Sequence, residues 1–225
     1  AQQNHLYLSL HQSCLPTLFG TRCLATLGRS IQVLTCGRAE QHWEHRFGSS
    51  KPQLWWVFFG RRWVALPLQC FLIEHRDGPV LFDTGIDPAI LSDPRYIEQA
   101  IGRFLLRRIF RLHLTEQDRI DHVLETAGVA ASDIRTVVIS HLHFDHAGAA
   151  NLFKDSTLLI QRPEYEAAFE AGDVIEVFDP SLYSELRDSE KIVLDGDHDV
   201  FGDGRVKIRG PETRDSDGHL IEPED

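Results

Sequence analysis

Four side chains able to ligate a metal fall within six residues, in the string His141-Leu142-His143-Phe144-Asp145-His146. The string follows directly on Thr136-Val137-Val138-Ile139, an apolar, β-branched run that reads as a buried strand. Side chains alternate along extended backbone, so His141, His143 and Asp145 are expected on one side. Two imidazoles two residues apart can grip one ion. As the chain bends, Asp145 and His146 can reach a second ion beside it, and Ala147, Gly148, Ala149 and Ala150 leave room for the bend. Zinc takes imidazole nitrogen at ~2.0–2.1 Å and carboxylate oxygen at a similar distance. Ligands so close in sequence cost little loop entropy to organise. A solvated His-rich turn is the competing reading, but spacing, strand context and small neighbours all agree with what a metal motif requires.

The elements that must position this string alternate between strand and helix. Ile31-Gln32-Val33-Leu34 reads as a first strand. Leu66 to Glu74 and Pro79 to Phe82 read as a hairpin turning at Asp77-Gly78. Thr115-Glu116-Gln117-Asp118 has the pattern of a capping box opening a helix. Ile120, Val123, Leu124 and Ala127 follow at helical spacing, and Gly128 stands where that helix would stop. Ile134 to Ile139 and Thr157 to Ile160 are buried-type strands, and a helix starts near Pro163, where proline suits the first turn. This order implies an α/β layered architecture with helices packed on a sheet.

Composition bounds the partners. The 225-residue chain has 34 Asp+Glu against 23 Lys+Arg, a formal charge of −11. A protein that neutralises a nucleic-acid backbone needs the opposite sign, so no nucleic-acid partner is expected. The charge is uneven: residues 1–62 hold seven Lys/Arg and two acids, while the acids concentrate after residue 63. No apolar run is long enough to cross a bilayer, so no membrane partner is expected. Cys14, Cys23, Cys36 and Cys70 show no C-x-x-C spacing, which fits a reducing, cytoplasmic setting. Met is absent, which reads as a processed chain or a fragment.

The H-x-H-x-D-H string after a buried strand resembles the metallo-β-lactamase superfamily. The wider string Ser140-His141-Leu142-His143-Phe144-Asp145-His146-Ala147-Gly148 resembles the N-acyl homoserine lactone lactonases within it. Leu66 to Glu74 with Gly78-Pro79-Val80-Leu81-Phe82-Asp83-Thr84-Gly85 is similar to that family's opening hairpin and D-T-G turn. Leu114 to Ile120 and Gln161 to Ala168 resemble the helices before and after the metal strand. The resemblance covers about residues 31–209.

It implies an αβ/βα sandwich with two metal ions, usually zinc, His141 and His143 on the first and Asp145 and His146 on the second. Two ions ~3.5–4 Å apart can share a water and present it as hydroxide near neutral pH. The implied activity is quorum quenching: hydroxide opens the lactone ring of N-acyl homoserine lactones, and Asp145 carries the proton to the leaving oxygen. Asp83 would hold the ligand loop, or else cap a turn. A thioesterase of the glyoxalase II kind uses the same ions on an acyl-sulfur bond. An inactive remnant of the fold is a further alternative.

The family's third metal histidine belongs to a P-G-H segment after the strand expected at Arg205-Val206-Lys207-Ile208, and a bridging Asp and a further His follow. Here the chain reads Arg209-Gly210-Pro211-Glu212-Thr213 and ends at Asp225, with His219 a weak stand-in. The expected organisation is an extension over 1–30, an incomplete metallo-β-lactamase-like domain over 31–209, truncated or frame-shifted after its first half, and an acidic, disordered tail over 210–225. Trp55, Trp56, Phe58, Phe59 and Trp63 read as core packing or a covering loop, while the resemblance to the lactonases implies that this region can lie near the acyl-chain pocket. Phe104, Leu105, Ile109 and Leu112 with Arg103, Arg107, Arg108 and Arg111 read as a basic amphipathic surface helix. His198 reads as a loop residue, and nothing near His42 and His45 completes a metal set.

Overall fold

The computed structural model describes residues 31–93, 104, 107–169 and 189–210, the side chain at 168 excepted, and the backbone of 5–8 and 22–26. The strands are β1 (His5–Leu8), β2 (Arg22–Thr26), β3 (Ile31–His42), β4 (Trp63–Ile73), β5 (Val80–Phe82), β6 (Phe110–His113), β7 (Thr136–Val138), β8 (Thr157–Gln161), β9 (Lys191–Leu194), β10 (His198–Asp199) and β11 (Val206–Arg209). The α-helices are α1 (Trp43–Phe47), α2 (Gln53–Phe59), α3 (Ile120–Thr126), α4 (Phe144–Ala147) and α5 (Arg162–Phe169).

A seven-stranded sheet runs in the order β6-β3-β4-β5-β7-β8-β9, and a four-stranded sheet in the order β1-β2-β11-β10. Strands β6 through β5 pair antiparallel, whereas β5, β7, β8 and β9 are parallel. The period of two along the strands decides the layers. Leu72, Leu81, Val137, Ile139, Leu158 and Ile160 point to one face, where they pack with Ile120 and Leu124 of α3 and with Phe144 and Ala147 of α4. Their neighbours Phe71, Ile73, Val80, Phe82, Val138 and Leu159 point to the other face and meet Val206 and Ile208 of β11. Helices therefore cover one face of the large sheet, and the small sheet covers the other. Because both faces are buried, β5 and β7 read as continuous apolar runs rather than alternating ones. Burying Phe82 contributes roughly 1.5–3 kcal/mol over leaving it exposed.

The structure extends or corrects several expectations. The first strand continues through His42, because β4 pairs with it as far as His42↔Trp63. The capping box is present, since Asp118 accepts hydrogen bonds from both the N–H and the hydroxyl of Thr115 at 2.7 and 2.8 Å. It opens a short 3-10 turn, Glu116–Asp118, and α3 begins afterwards at Ile120. The expected amphipathic helix does not run through Leu112: Phe110 to His113 leave helical backbone and pair antiparallel with β3. Edge pairing satisfies those backbone groups where further helix would leave the β3 edge open. His198 lies in β10, paired with Ile208, rather than in a loop. Within the segment set apart as 1–30, β1 and β2 join the small sheet through β11. The expected tail beyond Gly210, with His219, lies outside the described residues.

Candidate metal centre

The site is built at the carboxyl ends of three parallel strands that lie side by side, where open α/β sheets place their ligands. Strand β5 ends at Phe82, opposite Val138 of β7, so Asp83 and Ser140 emerge as neighbours. Asp83 is fully buried and has a φ of +61°, a left-handed conformation that costs free energy in a non-glycine residue. Its N–H donates to Val138 O at 2.9 Å. Its carboxylate accepts from the Ser140 N–H and the Ser140 hydroxyl, both at 2.8 Å, and sits 2.7 Å from Nδ1 of His146. Of its two expected roles, Asp83 thus performs the first: it holds the His146 ring. The adjoining Thr84 adds its N–H and hydroxyl to the carbonyl of His146, at 2.7 and 3.0 Å.

The loop after β7 does not stay extended. Helix α4 starts at Phe144, with His143 as its first flanking residue, and His146 N–H donates to His143 O at 3.0 Å. This winding replaces the strand alternation that placed His141, His143 and Asp145 on one side. What converges instead is His141, Asp145 and His146, whose ligand atoms all lie within 4.8 Å of one another. It is the one such group of three among the described residues. His143 stands outside that set, although its ring is 4.4 Å from that of His141. The turn needs glycine at 148, where a Cβ would strike Phe144 O and approach Gly85 O to 2.9 Å and Ile86 Cα to 3.1 Å. All three are backbone atoms and cannot rotate away.

A third strand end contributes Glu164. It follows β8 in the first turn of α5, is buried, and accepts the Leu142 N–H at 2.9 Å, between His141 and His143. Burial pushes its pKa up to about 7, against the pull of the Leu142 N–H and His146. Burial also opposes charge on His146, but Asp145 and then Asp83 outweigh it and raise that ring to about 9. His141 is held well below the ordinary histidine value by burial and by the two neighbouring rings. His143 is lowered by burial too, with Asp145 opposing.

These features fit a cation. His146 Nε2 is buried with no hydrogen-bond partner, while its Nδ1 is anchored on Asp83. Asp145 lies 3.6 Å from that Nε2, and the ring of His141 is 4.0 Å from the ring of His146. Two imidazoles and a carboxylate facing a negative well are a zinc-type donor set.

A profile of the metallo-beta-lactamase superfamily matches residues 64–225, well over half of the chain. The chain belongs to the metallo-beta-lactamase superfamily. Within it, an N-acyl homoserine lactonase of a Bacillus species is 32% identical over 162 residues, covering 72% of this chain and 60% of that protein. One from Bacillus cereus is 39% identical over 105 residues, covering 47% and 40%. The chain thus spans 40 to 60% of the length of these curated relatives. A solved N-acyl homoserine lactone hydrolase with N-hexanoyl-L-homoserine bound at its catalytic metal centre is 25% identical with a TM-score of 0.61, covering 76% of this chain and 62% of that one.

Placed on this superfamily fold, the sequence reading named the ligand string and Asp83 but missed the parts played by Ser140 and Glu164. A buried acid opening α5 has the same sequence signature as one that merely favours a helix N-terminus. Only the spatial neighbourhood of β7 and β8 separates the two.

Proposed function

We propose that the chain carries the cation-binding loop of a hydrolase that opens the lactone ring of N-acyl homoserine lactones. The observation that carries this reading is the convergence of His141, Asp145 and His146 around the buried, unpartnered Nε2 of His146. The named activity of the relatives supports the substrate class.

In this reading His141, Asp145 and His146 hold a zinc-like cation, with His143 beside them for a second. Such ions, when bound, acidify water and polarise a carbonyl. The protein's own part is positional and protonic. Asp83 accepts from Nδ1 of His146 and so turns Nε2 towards the site in the tautomer that can ligate. Glu164 fixes the Leu142 N–H and with it the spacing of His141 and His143. Opening the ring leaves an alkoxide that needs a proton. Asp145 is the carboxyl group placed to carry it, its side chain only 9% exposed.

The test combines metal analysis with acid release. The purified full chain, supplied with zinc, is expected to retain the ion through dialysis. It is expected to release acid from N-hexanoyl homoserine lactone and not thiol from an acyl thioester. Thiol release in place of acid release would move the reading to a thioesterase. Retained zinc with neither activity would leave a binding module and overturn the hydrolase reading.

A further inference from the structure

A second polar cavity lies away from the histidine cluster, and nothing in the reaction above uses it. It has a volume of about 370 Å³ and is lined by Arg61, Arg107, Arg108 and Arg111, with Phe58 and the buried His42 among its walls. Four guanidinium groups around one cavity are unusual in a chain of net charge −11. Arg111 is held flat over Trp63, 3.8 Å from the ring centroid, and pairs with Glu40 at 3.5 Å. Glu40 is shared with His113 at 3.7 Å. Arg108 lies over Phe58 and Phe104, at 5.3 and 5.6 Å. Arg61 and Arg107 have no carboxylate within ion-pair distance among the described residues. Stacking holds Arg108 and Arg111 over aromatic rings, and of the four arginines only Arg111 is also paired with a carboxylate among the described residues, which lowers the entropy cost of binding an oxyanion.

The buried His42 lines the cavity as well. His42 is 1% exposed, and its Nδ1 makes no hydrogen bond among the described residues. It faces the wall at Gly60, where a Cβ would come within 2.9 Å of that nitrogen. Burial holds the His42 ring below the ordinary histidine value, with Glu44 and backbone hydrogen bonds to Arg108 and Arg62 opposing.

The rim sets the other half of the ligand. Helix α2 buries Trp56 and Val57 but exposes Leu54, Trp55, Phe58 and Phe59, the last 66% exposed. Lys51 lies over Trp55 at 3.4 Å and Arg62 over Trp43 at 4.0 Å. Apolar surface rimmed by cations matches a molecule with an anionic head and an apolar body.

We infer that this cavity is a binding site for a phosphate monoester carrying an apolar body, its head among Arg61, Arg107, Arg108 and Arg111 and its body against α2. The same chemistry is offered by a soluble alkyl phosphate and by phosphatidic acid in a bilayer.

The experiment follows the tryptophan emission of the full chain with four probes. These are inorganic phosphate, octyl phosphate below its micelle concentration, phosphatidylcholine vesicles, and the same vesicles containing phosphatidic acid. Octyl phosphate is expected to bind at least tenfold tighter than inorganic phosphate. Arg61→Ala and Arg107→Ala are each expected to weaken it about tenfold or more, as for loss of a charged hydrogen bond. Arg61→Lys and Arg107→Lys keep the charge without the planar fork and give intermediate affinity. They also decide the matter should an alanine variant fail to fold. Binding of octyl phosphate alone assigns a soluble ligand. Binding of the phosphatidic acid vesicles, and not of plain phosphatidylcholine, assigns a lipid surface. Failure of both, or equal binding by the arginine variants, overturns the site.

Discussion

The histidine cluster and the arginine cavity use charged groups in opposite ways. Around His146 the polar groups form a buried network: Asp83 engages Ser140 and His146, Thr84 engages the His146 carbonyl, and Glu164 engages Leu142. Around Arg107 the cations are stacked or exposed, and of the four only Arg111 has a counter-ion among the described residues. A buried network has to satisfy its members internally, so losing one leaves a stranded charge and costs stability. A solvated cluster loses little stability when one member is removed and so is free to be spent on a ligand. The difference predicts which mutations damage the fold and which damage only binding.

The largest effect is expected for Asp83→Ala. It strands the Ser140 N–H and hydroxyl and removes the acceptor of His146, and should cost about 3–5 kcal/mol in urea unfolding together with cation uptake. A loss below about 1 kcal/mol would show that the network is not coupled as drawn.

Glu164 gives a pH signature in the metal-free chain. Its folded pKa of about 7 lies above the unfolded value of 4.5. The stability associated with its protonated form is therefore full below pH 4.5 and is lost as pH rises through 7. For a shift of this size the fall is of order 3 kcal/mol. Glu164→Gln keeps an acceptor for Leu142 without the titration and should flatten the profile over that window. His146 acts with the same sign at higher pH, its raised value of about 9 placing the loss between 6.5 and 9.

His141→Ala should leave the fold intact and weaken zinc binding at least a hundredfold, measured by competition with a chelator, because it removes one of three converging donors. The smallest effect is reserved for the other region. Phe59→Ser, at an exposed position of α2, should change stability by no more than about 0.5 kcal/mol. A large loss there would mean that α2 packs against something and is not open to a ligand.

Much of this architecture was legible before any coordinates. The apolar runs at Leu66 to Ile73, Val80 to Phe82, Thr136 to Ile139 and Thr157 to Ile160 became strands because burial on two faces demands uniform apolarity. The capping residues at Thr115 and Asp118 met as written, since that interaction spans three residues. Sequence failed where partners are distant. Leu112 fits a helical stripe equally well, yet β3 offered an open edge and took it. Spacing alone also did not show which of the four side chains come together: α4 winds at Phe144 and brings Asp145 and His146 round to His141.

The sequence by itself determined that a string of ligand-type side chains follows a buried strand, because both the residue types and the strand are local properties of contiguous residues. The tertiary structure decided which of these side chains meet, that Asp83 and Glu164 flank them, and that Arg61 and Arg107 line one cavity. Those pairings join residues 22 to 63 positions apart, and only the order of parallel strands and the packing of α2 bring them within reach.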